Sequence, residues 1–259
     1  QALVKKECNT TALIGIDQEG GMITRLSPDC TNVPGAMAIA ASGERENAYE
    51  AGFLTATELR ALGVNVDFAP SVDVNSNPNN PVIGVRSYGD SAETVITYST
   101  RMIEGLQQGG LMATAKHFPG HGDTHLDSHV ALPTVAGDRA HLKEHLAPFK
   151  AAITAGVQAV MSSHILFPAL EAEAVPATMS RAIITGLLKG ELGFKGLVFT
   201  DCLEMDAIAR HYGTVEGCVA SLAAGVDLAC ISHHVELGKA AVEAVEAAIE
   251  EGRIDLEEL

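Results

Sequence analysis

Short apolar runs alternate along the chain with longer stretches of helical period. The runs are Ala12–Ile16, Val64–Phe68, Met112–His117, Ala159–His164, Leu197–Thr200 and Val226–Ile231. They are apolar on consecutive positions, as strands buried on both faces are. Helical period occupies Glu44–Leu62, Ala92–Gln108, Ala140–Ala155, Arg181–Leu192, Val215–Ala224 and Val235–Glu251. This repetition predicts an α/β fold, a parallel sheet with helices packed outside it. No low-complexity segment and no repeat of fixed period interrupts the pattern.

The polar residues choose between α/β architectures. Asp17-Gln18-Glu19 follow the first run and Asp73 comes soon after the second; Lys116-His117 close the third, His164 the fourth and Asp201 the fifth. In a (β/α)8 TIM-type barrel all strand C-termini open on one face, so these groups converge on one site. A doubly wound sheet usually brings a glycine-rich phosphate loop, and neither GxGxxG nor GxxxxGK[ST] occurs. The barrel is expected, as a single domain over residues 1–259. Six runs are readable against eight, so about two strand–helix units are expected to be missing from the front of this chain.

Composition narrows the partners. The 259 residues carry 17 Lys and Arg against 33 Asp and Glu, a net charge of −16, with no basic stripe to neutralise a phosphate backbone. Nucleic acid is therefore excluded as a partner, and no apolar run approaches the roughly 18 residues that span a bilayer. Five scattered cysteines without CxxC or zinc-finger spacing read as reduced thiols, which favours the cytoplasm. Gln1 to Lys6 read like the middle of a helix, so export or a lipid anchor stays open, and the oligomeric state is not readable.

The segment Lys116 to His129 is the densest in chemistry, with four histidines and two aspartates in fourteen residues. Two readings compete with a plain loop whose histidines bond to backbone carbonyls. The alternating His121, Asp123, His125, Asp127 and His129 resemble a metal cradle, because residues two apart in an extended loop point the same way and imidazole with carboxylate suits zinc or manganese. Alternatively Asp127 and His129 form an acid/base dyad, the carboxylate orienting a ring whose pKa lies near neutrality. Asp201, at the end of a buried run, is either a nucleophile or electrostatic stabiliser at the barrel mouth, or the N-cap of the next helix. Asp17 with Arg25, and Arg86, can grip a polyhydroxylated substrate through paired hydrogen bonds or form structural ion pairs. Asp67 and Asp73 are placed to orient those arginines. Read from the residues alone, this is a barrel hydrolase or transferase for a polar, sugar-like substrate.

Five motifs in register then carry a resemblance: Ile16-Asp17-Gln18-Glu19-Gly20-Gly21, Asp67-Phe68-Ala69-Pro70, Lys116-His117-Phe118-Pro119-Gly120-His121-Gly122, Asp127-Ser128-His129 and Thr200-Asp201. Together they resemble glycoside hydrolase family 3, in its β-N-acetylglucosaminidase branch, from about Ala12 to Ile231. The resemblance implies a retaining, exo-acting enzyme on peptidoglycan- or chitin-derived glycosides, without metal or other cofactor. It implies Asp201 as nucleophile, His129 as acid/base with Asp127 as its partner, and Asp17, Arg25, Arg86, Lys116 and His117 as ligands of the N-acetylglucosamine ring. Histidine then replaces the second carboxylate of the double-displacement scheme. A neutral imidazole beside the glycosyl-enzyme also leaves phosphate open as an acceptor in place of water.

This sequence departs from the pattern in places. Cys202 stands where many relatives have a second aspartate, and His125 where they often have Asp or Asn. The two leading strands and the second domain of larger relatives are not seen. Two other functions remain alongside: a metal-dependent hydrolase using the His121–His129 loop, and a sugar-binding barrel without turnover. With no Trp, four Tyr and seven Phe, stacking platforms for a long polysaccharide are scarce, and a pocket for one terminal sugar fits better.

Overall fold

The computed structural model describes residues 2–26, 28–128 and 131–257. In chain order the elements are α1 (Ala2–Cys8), β1 (Gly15–Ile16), α2 (Ala36–Ala41), α3 (Glu46–Ala61), β2 (Val66–Asp67), α4 (Ala92–Gln108), β3 (Met112–Phe118), α5 (Arg139–Thr154) and β4 (Ala159–Ser162). A π-helix (Ala182–Glu191), β5 (Leu197–Cys202), α6 (Asp206–Ala209), α7 (Thr214–Ala223), β6 (Leu228–Cys230) and α8 (Val235–Glu250) follow. No helix among the described residues is long and apolar enough to cross a membrane.

All six strands are parallel and lie in the order β1-β2-β3-β4-β5-β6. That strictly sequential order is barrel winding; a doubly wound sheet reverses direction part-way. The sheet is also curled. Phe68, next after β2, and Phe199 on β5 pack edge-to-face with ring centroids 5.4 Å apart. On a flat sheet three strand spacings would hold them about 14 Å apart. Among the described residues β1 and β6 each have one neighbour, so the six strands form a half-barrel.

The two faces of the sheet each carry an apolar core, and further clusters pack α6, α7 and α8 at the β6 end. The outer core packs α3, α4, α5 and the π-helix on the sheet through residues such as Leu59, Ile103, Phe149 and Ile184, all fully buried. The inner one is smaller, with Val66, Ala159, Met161 and Phe199 at its centre.

The long helices start and stop within two residues of their sequence signals; Ser91 and Asp138 cap α4 and α5 by accepting from the N–H of Thr94 and His141. The strands at the open end are shorter than the apolar runs, because β1 and β2 pair over only two positions. The run Arg181–Leu192 was expected to be helical and is a π-helix, with Leu192 N–H donating to the carbonyl of Leu187 at 2.9 Å.

Candidate active site

Strand alternation decides which polar groups face inward. Met112 and Leu197 lie in the inner core, so Lys116, four residues after Met112, and Asp201, four after Leu197, rise from the same face. On β1 a Cβ at Gly15 would come within 2.6 Å of the Phe68 ring, so Gly15 faces inward and Asp17 follows it. Asp17, Arg25, Arg86, Lys116, His117 and Asp201 consequently line one pocket of about 440 Å³ at the C-terminal ends of the strands. A more apolar hollow of about 380 Å³ shares Glu19 and Arg86 with it, but neither Lys116 nor Asp201 reaches that second space.

A buried charge network floors the pocket. Lys116 Nζ lies 2.7 Å from Asp17 Oδ1 and 2.7 Å from Glu19 Oε1. Arg86 grips Glu19 with both arms, Nε to Oε2 at 2.9 Å and Nη2 to Oε1 at 2.7 Å, the planar geometry that arginine matches best. Burial pushes the Glu19 carboxyl up, but the Lys116 ammonium and the Arg86 guanidinium together bring it far below the usual carboxylate range. Burial works against the Lys116 charge as well, and the Glu19 and Asp17 carboxylates more than offset it. Arg25 stands 3.9 Å from Asp17 at the more open side. Glu19 thus belongs to the pocket's charge network but carried no role in the sequence reading; its signal was its place two residues beyond Asp17, on the same alternation. The pocket holds three cations (Arg25, Arg86, Lys116) against three carboxylates (Asp17, Glu19, Asp201) and is formally neutral inside a chain of net charge −16.

Asp73 organises the histidine side. Its carboxylate lies 2.7 Å from His117 Nδ1, accepts from the backbone N–H of His117 at 3.2 Å and of His121 at 2.6 Å, and accepts from Ser71 Oγ at 3.1 Å. Burial opposes its charge, and the His117 and His121 contacts outweigh burial and hold its pKa down. The expectation that Asp67 and Asp73 orient the arginines is corrected: Glu19 holds Arg86, Asp73 holds His117, and Asp67 Oδ1 accepts from the backbone N–H of Gln18 at 3.0 Å. Asp67 Oδ2 has no hydrogen-bond partner, and burial raises this carboxyl well above its ordinary value.

His121 is locked on both ring nitrogens. Thr124 Oγ1 donates to the His121 carbonyl at 3.0 Å, so towards Nδ1, 2.9 Å away, it acts as acceptor. Nε2 then accepts from Ser128 Oγ at 3.0 Å. Burial, with the neighbouring His117, lowers the His121 pKa to about 4, in keeping with a neutral ring. Asn80 Nδ2 donates to the His121 carbonyl at 2.8 Å, and Asn77 Nδ2 lies 3.1 Å from His125 Nδ1.

The five-residue metal cradle is corrected by the same contacts. His121 faces the pocket, Asp123 turns to α5, with Oδ2 2.9 Å from His141 Nε2, and His125 turns to Asn77. The period-two argument needs extended backbone, and this loop turns at Gly122-Asp123 and bends again at His125-Leu126. Among the described residues, the groups able to converge on an ion are Asp123 with His141 and His145, and Cys202 with Glu204 and His233. Glu204 of the second group is already engaged, accepting from the backbone N–H of Ser232, His233 and His234. Of the expected dyad, Asp127 is in the loop beside Ser128, which lines the pocket, and His129 lies outside the described residues.

Asp201 is not a helix cap. The next helix begins at Asp206 after Met205, and Asp201 Oδ1 instead accepts from the N–H of Cys202 at 2.7 Å. Burial raises its pKa, while the imidazoles of His117 and His164, the Cys202 N–H and the Lys116 ammonium lower it further, so the group is held as carboxylate. His164 supports that strand end by donating from Nε2 to the Cys202 carbonyl at 3.0 Å. The Cys230 thiol beside it is pushed up to about 12 by burial and by the Asp201 charge, which keeps it protonated.

The model of the glycosyl hydrolase family 3 N terminal domain matches residues 1–259. Beta-hexosaminidase A of Pseudoalteromonas piscicida is 40% identical over 232 residues, covering 83% of this chain and 39% of that protein. Beta-hexosaminidase of Thiobacillus denitrificans is 38% identical over 234 residues, 87% of this chain and 64% of its own. Among solved structures, a glycoside hydrolase family 3 beta-N-acetylglucosaminidase from Paenibacillus sp. FPU-7 superposes with a TM-score of 0.98 at 55% identity, over 100% of this chain and 49% of that one. The chain thus spans less than two thirds of each of these relatives.

Proposed function

Because this chain belongs to glycosyl hydrolase family 3, we propose that it is the catalytic barrel domain of a retaining, exo-acting β-N-acetylglucosaminidase. The observation that carries this reading is Asp201: an inward-facing carboxylate at the end of β5, kept ionised, in a formally neutral pocket with Lys116, Arg86, Asp17 and His117. A pocket of about 440 Å³ suits one terminal sugar, and its ion-pair lining suits hydroxyl groups better than a charged ligand. The relatives named beta-hexosaminidase and beta-N-acetylglucosaminidase support the N-acetyl sugar.

In this mechanism the Asp201 carboxylate attacks the anomeric carbon while the glycosidic bond breaks, and His129 gives its proton to the leaving oxygen. His129 then takes a proton from water, whose oxygen displaces the Asp201 carboxylate and restores it. Asp127 orients His129. Asp17, Arg25, Arg86, Lys116 and His117 hold the ring, with Glu19 and Asp73 fixing Lys116, Arg86 and His117 for that task. The natural glycosides are fragments of peptidoglycan or chitin, for which a single-sugar pocket with few aromatic residues is sufficient.

The test is nitrophenol release from the aryl β-N-acetylglucosaminide, with the aryl β-glucoside alongside and Asp201→Ala as the variant. Turnover is expected on the N-acetyl substrate alone, with kcat falling by about 10³-fold or more in Asp201→Ala. Unchanged turnover in the variant sinks the nucleophile assignment. N-acetylglucosamine binding without turnover in the parent chain identifies a sugar-binding barrel instead, and activity that survives in Asp201→Ala but is abolished by a chelator points to the metal-dependent hydrolase.

A further inference from the structure

Asp123 belongs to the histidine-bearing loop yet takes no part in the pocket. Its Oδ2 lies 2.9 Å from His141 Nε2, and its Oδ1 accepts at 3.3 Å from Ser76 Oγ, which in turn stands 3.5 Å from His145 Nε2. One donor atom each from Asp123, His141 and His145 all fall within 4.8 Å of one another. His141 and His145 are four residues apart on α5, the spacing that puts two rings on one helix face, and their centroids are 5.3 Å apart. His-x3-His on a helix with one carboxylate from elsewhere is a recurrent way of holding a transition metal.

The surroundings hold these donors in place. The backbone passes so close that a Cβ at Gly120 would meet the His145 Cβ at 2.9 Å, and one at Gly137 would meet His141 Cδ2 at 2.8 Å. Both glycines have positive φ, 137° and 141°, which other residues rarely adopt. His145 is buried, whereas His141 and Asp123 keep side-chain exposures of 42% and 25%, which leaves an entry path. Two imidazoles and one carboxylate form the ligand set of zinc-type sites with an open fourth position. Metal–ligand bonds of about 2.0–2.1 Å in a tetrahedron put donors about 3.4 Å apart, and the three donor atoms, all within 4.8 Å of one another, reach that spacing by side-chain adjustment.

We propose that Asp123, His141 and His145 form a binding site for a zinc-type divalent cation, with water as fourth ligand, that clips the histidine-bearing loop to α5. Asp123 is the loop's ligand, and α5 supplies the other two. The loop places His121 and Ser128 against the pocket and runs directly into Asp127. A cation at Asp123 therefore restrains this segment from outside, without touching substrate. The metal is structural here, in contrast to a cradle of alternating loop residues that would activate water. The site stands on its own geometry and is independent of the glycosidase reading.

Calorimetric titration of this chain with zinc chloride tests it, using His141→Asn, Asp123→Asn and Cys202→Ser in parallel and circular dichroism to check that each variant is folded. The parent is expected to bind one equivalent and to gain thermal stability with zinc. His141→Asn, at an exposed position, and Asp123→Asn, at a half-buried one, are expected to weaken binding about tenfold or more each, whereas Cys202→Ser leaves it unchanged. Amide exchange in the parent is expected to slow over residues 120–128 when zinc is added. No binding up to about millimolar zinc overturns the site, as does binding lost in Cys202→Ser but kept in the other two variants. Zinc bound at the site without slower exchange in the loop overturns the clip.

Discussion

Glu19→Gln removes the centre of the charge network while keeping its shape. Glu19 is 8% exposed and is shared by Lys116 at 2.7 Å and by both arms of Arg86. Without its charge, Lys116, itself 2% exposed, keeps only Asp17. Arg86 keeps the Val82 carbonyl at 3.3 Å and the His117 ring at 3.4 Å. Breaking one partner of a buried ion pair costs about 3–5 kcal/mol, because a charge is left uncompensated out of water; an exposed pair would cost about 0–1 kcal/mol. At about 2–4 °C per kcal/mol for a chain of this size, the melting temperature should fall by about 6–20 °C. The pH dependence has a definite sign. Glu19 has a depressed pKa in the folded state, so its contribution is complete above its ordinary value of 4.5 and is lost as the pH falls below that towards the folded value. The gap between parent and variant should therefore be full at pH 7 and narrow below about pH 4.5. Thermal unfolding followed by circular dichroism across that range measures both. A loss below about 1 kcal/mol at pH 7, or a gap that does not narrow in acid, refutes the account of a buried, mutually dependent network.

Asp73→Asn removes the charge that engages His117 Nδ1 and the backbone N–H groups of His117 and His121; kcat/KM on the aryl N-acetylglucosaminide should fall about 100-fold, with about 1.5–3 kcal/mol lost in denaturant unfolding, and near-parental kinetics would remove Asp73 from the site's support. Gly122→Ala puts a Cβ 1.8 Å from the Val74 carbonyl oxygen, so the loop must lift; about 1–3 kcal/mol of stability should be lost, and parental stability in the same unfolding assay would show that the loop yields freely. Inorganic phosphate should not become the acceptor, since a formally neutral pocket in a chain of net charge −16 offers a dianion little attraction; product analysis by mass spectrometry should give the free sugar, and a sugar 1-phosphate would refute this.

The barrel winding was legible because buried parallel strands leave an unmistakable pattern: consecutive apolar residues, then a polar group, then a helical stretch. What the pattern does not encode is how far each run pairs. Ala12–Ile16 and Val64–Phe68 read like full strands, but only Gly15–Ile16 and Val66–Asp67 are laddered, since pairing depends on a neighbour that the run itself does not specify. The π-helix was equally hidden. Its apolar spacing is the same helical periodicity, and that spacing does not distinguish i−5 from i−4 bonding.

At the site, the legible residues are those whose direction follows from a strand. Lys116 and Asp201 lie on the inward-facing alternation of β3 and β5, and Asp17 continues that of β1 past its last residue, so their convergence follows from the barrel alone. Residues on loops were legible as chemistry but not as partners. Asp73 was recognised as a supporting carboxylate and given the wrong partner, because sequence separation does not tell Arg86 from His117; two backbone N–H groups, which carry no sequence signature, decide it. The same blindness produced the metal cradle. His121, Asp123 and His125 share a period in the sequence, but the turn at Gly122-Asp123 sends one to the pocket, one to α5 and one to Asn77. The residues that could complete a metal site with Asp123 lie on α5, where His141 and His145 carry their own, helical, period. A constellation is therefore readable in one dimension only when a single element sets its geometry; where a loop meets a helix, the contact between them supplies the missing information.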